Sequence, residues 1–95
     1  MFVVIGVWDH DPALREIQQQ ALQGIVAGVR QAPGIVKGYW AGAAGDPSRS
    51  HTFIVFDHRE AAESFMGDVQ GNFENQARAG VTNVSLELAE ISAAT

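Results

Sequence analysis

The chain has 95 residues, 46% of them hydrophobic, no cysteine, and a formal charge of −5 from 11 acidic and 6 basic residues. The lack of cysteine excludes a disulfide framework, a thiol nucleophile and thiolate metal ligands. The six cations stand singly along the chain, which excludes the clustered positive charge that nucleic acid or an anionic membrane surface requires.

At this length one domain spanning residues 1–95 is expected, with a core of modest size. The opening residues read as a strand, with no basic region ahead of the apolar run and no small-residue cleavage site behind it. No apolar run approaches the length of a membrane span. A cytoplasmic protein is expected, with neither nucleic acid nor membrane as partner.

The first predicted strand, Phe2 to Trp8, is a continuous apolar run. A strand with one wet face alternates polar with apolar, so an unbroken run predicts cover on both sides. Asp9-His10-Asp11-Pro12 follows, an Asp cap with proline at the first helical position. The first helix runs to about Gln31. Leu14, Ile17, Ala21, Ile25 and Val29 recur on one face at steps of three and four, widened by Leu22 and Val26. Gly24 and Gly28 form a small-x-x-x-small pair, read as close helix–sheet packing or as room for a ligand; the former is expected.

Ala32-Pro33-Gly34 ends the helix, and a second strand spans about Ile35 to Ala41, where Lys37 predicts a sheet edge. Ala43 to Ser50 reads as a hairpin loop on its Gly and Asp-Pro content. The third strand, about His51 to Phe56, is again apolar on both faces. Asp57 and Glu60 then form a variant capping box ahead of a second helix with Ala62, Phe65, Met66 and Val69 on one side. Gln70 to Gly80 is polar apart from Phe73, with a short helical turn from Asn72. The last strand, roughly Thr82 to Ile91, alternates Val84, Leu86 and Leu88 with Ser85, Glu87 and Ala89.

This order predicts an α+β, ferredoxin-like βαββαβ fold with an antiparallel sheet. Right-handed crossovers place strands one and three in the centre and strands two and four at the edges. The helices cover one face. The other would leave about five large apolar side chains bare, a patch on the order of 500 Å² at the upper end of what monomers tolerate. A homodimer formed through that open face is therefore expected.

With VVIGVW opening the chain, PGIVKGYWAG after the first helix and FIVFDHREAAESF running from strand into helix, the sequence resembles the dimeric α/β-barrel superfamily. Within it, the chain is similar to the small antibiotic-biosynthesis-monooxygenase-like proteins, over nearly its whole length. The resemblance implies a dimeric barrel and a pocket between each subunit's helices and sheet, without fixing a reaction. A heme-degrading relative would be expected to carry an Asn on the first strand, a Trp, and a heme-ligating His on the second helix; the first strand here has no Asn, and the only His near that helix is His58, at its start.

The candidate site residues follow from these elements. Trp8 and Trp40 either line a pocket for a flat substrate or fill the core. In a cofactor-independent oxygenase a phenol is deprotonated and its carbanion meets dioxygen directly, which requires a dry pocket, hydrogen-bond donors and a proton acceptor. Trp40, Tyr39, Asn72 and Asn75 are candidate donors and His51 or His10 a candidate base. Phe65, Met66 and Phe73 are further candidate wall residues. Which of Tyr39 and Trp40 faces the pocket is left open, because a one-residue shift of register exchanges them. His10 and His58 follow antiparallel central strands and are expected at opposite ends of the sheet, so no metal site is expected, and no cofactor. The expected function is monooxygenase-like action on a small aromatic or flat apolar molecule, or non-catalytic ligand binding on the same scaffold. An amino-acid-sensing regulatory domain fits less well, since Asp-Pro stands where a glycine turn would precede the first helix.

Overall fold

A computed structural model describes all of residues 1–95. The strands are β1 (Phe2–His10), β2 (Ile35–Ala43), β3 (Asp46–Phe56) and β4 (Val81–Glu90); the helices are α1 (Arg15–Arg30), α2 (Arg59–Gly71) and the short α3 (Phe73–Arg78). One turn of 3₁₀ helix, Pro12–Leu14, leads into α1, and the Asp11 carboxylate caps it by accepting from the Ala13 N–H at 3.0 Å. The four strands form one antiparallel sheet in the order β2-β3-β1-β4, with the apolar β1 and β3 central. The fold is the expected ferredoxin-like βαββαβ arrangement, and no helix is long and apolar enough to cross a membrane.

Directly paired residues of an antiparallel sheet point to the same face. Val4 pairs with Ile54 and Leu88, and Phe2 with Phe56, so the even-numbered residues of β1 and β3 face the helices. Val4, Ile54, Phe56, Val29 and Ala62 form the buried core there, with Phe65, Met66, Leu86 and Leu88 packed around it. Val3, Ile5, Val7, Phe53 and Val55 occupy the opposite face, which no element covers. These are the five large apolar side chains the sequence predicted would be left bare.

Four local expectations are corrected. The hairpin is tight: Ala43 pairs with Asp46 across Ala44 and Gly45, and Pro47 to Arg49 form an irregular bulge inside β3. The capping box does not form, because the Asp57 carboxylate turns to the neighbouring His58 ring and His58 occupies the cap position without a side-chain bond. A bulge opposite Val7 and Trp8 inserts Val84 as an extra residue of β4, so Val84 is half exposed and leaves the face of Leu86 and Leu88. Gly24 and Gly28 open onto empty space, since a Cβ at either would meet nothing within 4 Å. Close packing therefore does not account for them, and neither lines the cavity between the helices and the sheet.

Candidate ligand-binding site

The floor of the site is built by a motif that occurs twice, glycine followed two residues later by tryptophan on the same strand: Gly6-Val7-Trp8 and Gly38-Tyr39-Trp40. Residues two apart share a face, so each indole can fold back over its glycine. A Cβ at Gly6 would lie 2.5 Å from both Trp8 Nε1 and Thr52 Oγ1. A Cβ at Gly38 would lie 2.9 Å from the Trp40 ring. Only the absence of a side chain lets the two rings lie along the sheet. Trp8 is fixed further: its N–H donates to Thr52 Oγ1 at 3.1 Å, and Phe73 meets its ring edge-on at 6.1 Å. The Trp40 indole N–H has no partner in the chain.

A cavity of about 550 Å³ lies between this floor and the helices. Its roof is the apolar stripe of α1. Leu22 and Ile25 line the cavity and are 38% and 41% exposed. The helix therefore stands off the sheet along its middle and packs down only near Val29. Gln18 holds the other end, its amide donating at 3.0 Å to the carbonyls of Asp11 and Ala79. Phe65 and Val69 of α2 close one side, with Phe65 tilted against the core ring of Phe56 at 5.2 Å.

Polar side chains also line the cavity, among them Arg15, Gln18, Gln19 and Arg49. His10 Nε2 at the end of β1 and Ser50 Oγ, beside the bulge of β3, are 2.6 Å apart. Arg78 donates to Asn75, which donates to Asn72, each at 2.9 Å. Both asparagines line the cavity, as does Gln76, whose Oε1 is buried without a donor. Outside the cavity, in the hairpin, the Ser48 hydroxyl, and next the Ser48 N–H, hold the Asp46 carboxyl below its ordinary pKa.

Trp8, His10, Trp40, Phe65, Asn72 and Asn75 are thus brought together around one cavity. The other sequence candidates are not. Tyr39 and His51 pair with Phe53 and Val7 and lie on the open face, opposite Trp40. Their displacement is a matter of register: Trp40 pairs with Thr52, which fixes the indole on the helix side and the phenol on the other. Met66 packs against the core, and Phe73 stands behind Trp8. Sequence reading missed Gly6, Gly38, Thr52 and the α1 wall residues; the repeated Gly-x-Trp was the available signal.

No group of three or more His, Asp or Glu side chains converges. For a heme held by a helix imidazole the donors do not fit: His58, the only imidazole near α2, is exposed and outside the cavity, and His10, on β1, already meets Ser50.

No protein-family model matches the sequence, and no curated protein does. Solved structures do match in fold. A proposed antibiotic biosynthesis monooxygenase from Deinococcus radiodurans superposes with a TM-score of 0.84 at 16% identity, over 100% of this chain and 96% of that one. The protein of unknown function NE2512 from Nitrosomonas europaea gives 0.79 at 12% identity, over 99% and 91%. The heme-degrader MhuD from Mycobacterium tuberculosis, solved with two hemes in its active site, gives 0.75 at 13% identity, over 100% and 99%. The chain shares the fold of the antibiotic-biosynthesis-monooxygenase-like proteins.

Proposed function

We propose that this single-domain protein binds a small flat aromatic molecule in the cavity between helices and sheet, and that it acts there as a cofactor-independent monooxygenase. The observation that carries the reading is the indole floor: two rings laid along the sheet over Gly6 and Gly38, under an apolar roof, in a volume within the usual range for small-molecule sites. A roof of half-exposed leucine and isoleucine is a standing cost to the empty protein that a bound aromatic offsets.

The chemistry follows from the polar groups at the wall. In the tautomer whose Nε2–H donates to Ser50 Oγ, His10 Nδ1 is bare and takes the proton of a ligand phenol. The ring carbanion adds dioxygen, and the peroxide loses water to leave a carbonyl. Dioxygen supplies one oxygen to the product and one to the water. The substrate's two hydrogens complete that water, so no external reductant enters. Trp40 N–H and the Asn72 amide are the donors available to the developing charge.

One observation favours the non-catalytic alternative. No carboxylate lines the cavity to orient His10, so the imidazole lacks the partner that usually fixes a catalytic base. Oxygen uptake separates the readings. With a polycyclic phenol that quenches the tryptophans saturably, an enzyme consumes dioxygen in step with product, and His10→Ala removes turnover while keeping quenching. Saturable quenching with no uptake identifies a binding protein.

We further propose a cytoplasmic homodimer, closed through the face of Val3, Ile5, Val7, Phe53 and Val55. Folded monomers of this mass expose about 5300 Å² by the usual scaling, whereas this chain exposes 6203 Å². The excess, about 900 Å², is the size of one partner's share of a standard interface.

A further inference from the structure

The charges around the cavity are one-sided. None of the chain's 11 carboxylates lines it, although an even spread would place about three of them among the 26 lining residues of 95. Two of the six cations, Arg15 and Arg49, do line it, with His10. An apolar cavity would be expected to shed both signs of charge alike. This one has shed only the negative, in a protein whose net charge is −5. Asp68 lines an adjoining, more open hollow instead, and Asp9, which touches the lining Arg49, is not itself part of the wall.

The two arginines are not equivalent. Arg49 is held by Asp9, which accepts from its Nε and Nη2 at 3.0 and 2.8 Å. Arg15, in the first turn of α1, makes neither an ion pair nor a side-chain hydrogen bond. It leads a row along α1 of Arg15, Gln18, Gln19, Leu22 and Ile25, all lining the cavity. Ten residues of helix separate Arg15 from Ile25, about 15 Å along the axis. Along α1 the cavity wall therefore runs from an uncommitted cation at Arg15 to apolar side chains at Leu22 and Ile25.

We propose that the ligand is an amphipathic anion, a flat aromatic acid whose rings lie on the indoles and whose acidic group docks at Arg15 beside His10. This rests on the cavity being the binding site and adds the ligand's charge and orientation. Arg15 is the group that selects it, because its guanidinium offers a planar fork to a carboxylate or phenolate.

The test uses two probes with the same three rings, anthracene-9-carboxylate and the neutral 9-anthracenemethanol, titrated against tryptophan fluorescence. The carboxylate is expected to bind up to about fivefold more tightly, the range for a partly exposed charge pair. Arg15→Gln should bring the carboxylate down to the affinity of the alcohol and leave the alcohol unchanged. Arg30→Gln, at the far end of α1 and outside the cavity, should alter neither. Equal binding of the two probes by the parent protein, or an Arg15→Gln that weakens both alike, overturns the anion while the cavity reading stands. If neither probe binds saturably, or if Ala21→Phe, which pushes a ring into the cavity from α1, leaves both affinities unchanged, the cavity reading itself falls.

Discussion

At the scale of single residues, the decisive positions are those with nothing on them. Gly6 and Gly38 have no turn to make; they are strand residues whose missing Cβ gives the indoles their resting place. Gly6→Ala puts a methyl group into the Trp8–Thr52 hydrogen bond, and about 1–3 kcal/mol of stability should be lost in urea unfolding. The near-UV circular dichroism of the tryptophans should change with it. Gln76 predicts the opposite sign. Its buried Oε1 lacks a donor, so Gln76→Met should leave stability unchanged or raise it by about 1 kcal/mol. Asp46 sets a small acid dependence. Its folded pKa is lowered, so its contribution is present above the unfolded value and is lost as pH falls through the lowered one. The carboxyl is fully exposed, and comparing urea midpoints of the parent and Asp46→Asn between neutral and acid pH should show a small but directional difference.

At the scale of elements, α1 is the piece whose pattern was readable and whose packing was not. The steps of three and four predicted the helix and its apolar face, and both formed. The pattern could not say that the face would stand over a cavity, because periodicity reports which side is apolar and not how far it stands from its neighbour. Gly24 and Gly28 make the same point: the small-residue pair predicted close packing, and nothing packs against either. Gly24→Ala and Gly28→Ala should therefore each stabilise the protein, by about 0.5–1 kcal/mol through helix propensity alone, measured as a rise in unfolding midpoint. The strands were more legible, since an unbroken apolar run has one explanation in a sheet. Register was not legible. The β4 bulge and the tight hairpin depend on pairing that no single strand records, and the separation of Trp40 from Tyr39 and His51 depends on it too.

At the scale of the whole molecule, the sheet has two unlike faces. The helix side carries the small core and the cavity, while the far side carries Val3, Ile5, Val7, Phe53 and Val55 uncovered. Only 7 of 95 residues are buried in the isolated chain, too few for a comfortable monomer, and the proposed partner copy and ligand would supply the missing burial. Phe53→Glu, a charge at the centre of the open face, should give a species of 10.2 kDa by sedimentation where the parent sediments at twice that mass. An unaltered mass for the variant, or a parent that already sediments as a monomer, removes the dimer from the account.

The central claim, that a flat aromatic molecule rests on the two indoles beneath α1, is tested most directly by ¹⁵N-resolved NMR. The chain has only two tryptophans, hence two indole N–H resonances. On titration with anthracene-9-carboxylate the unpartnered Trp40 resonance should shift most, followed by the backbone signals of Leu22 and Ile25, while those of Phe53 and Val55 on the open face stay in place. Shifts confined to the open face, with both indole signals unmoved, would contradict it.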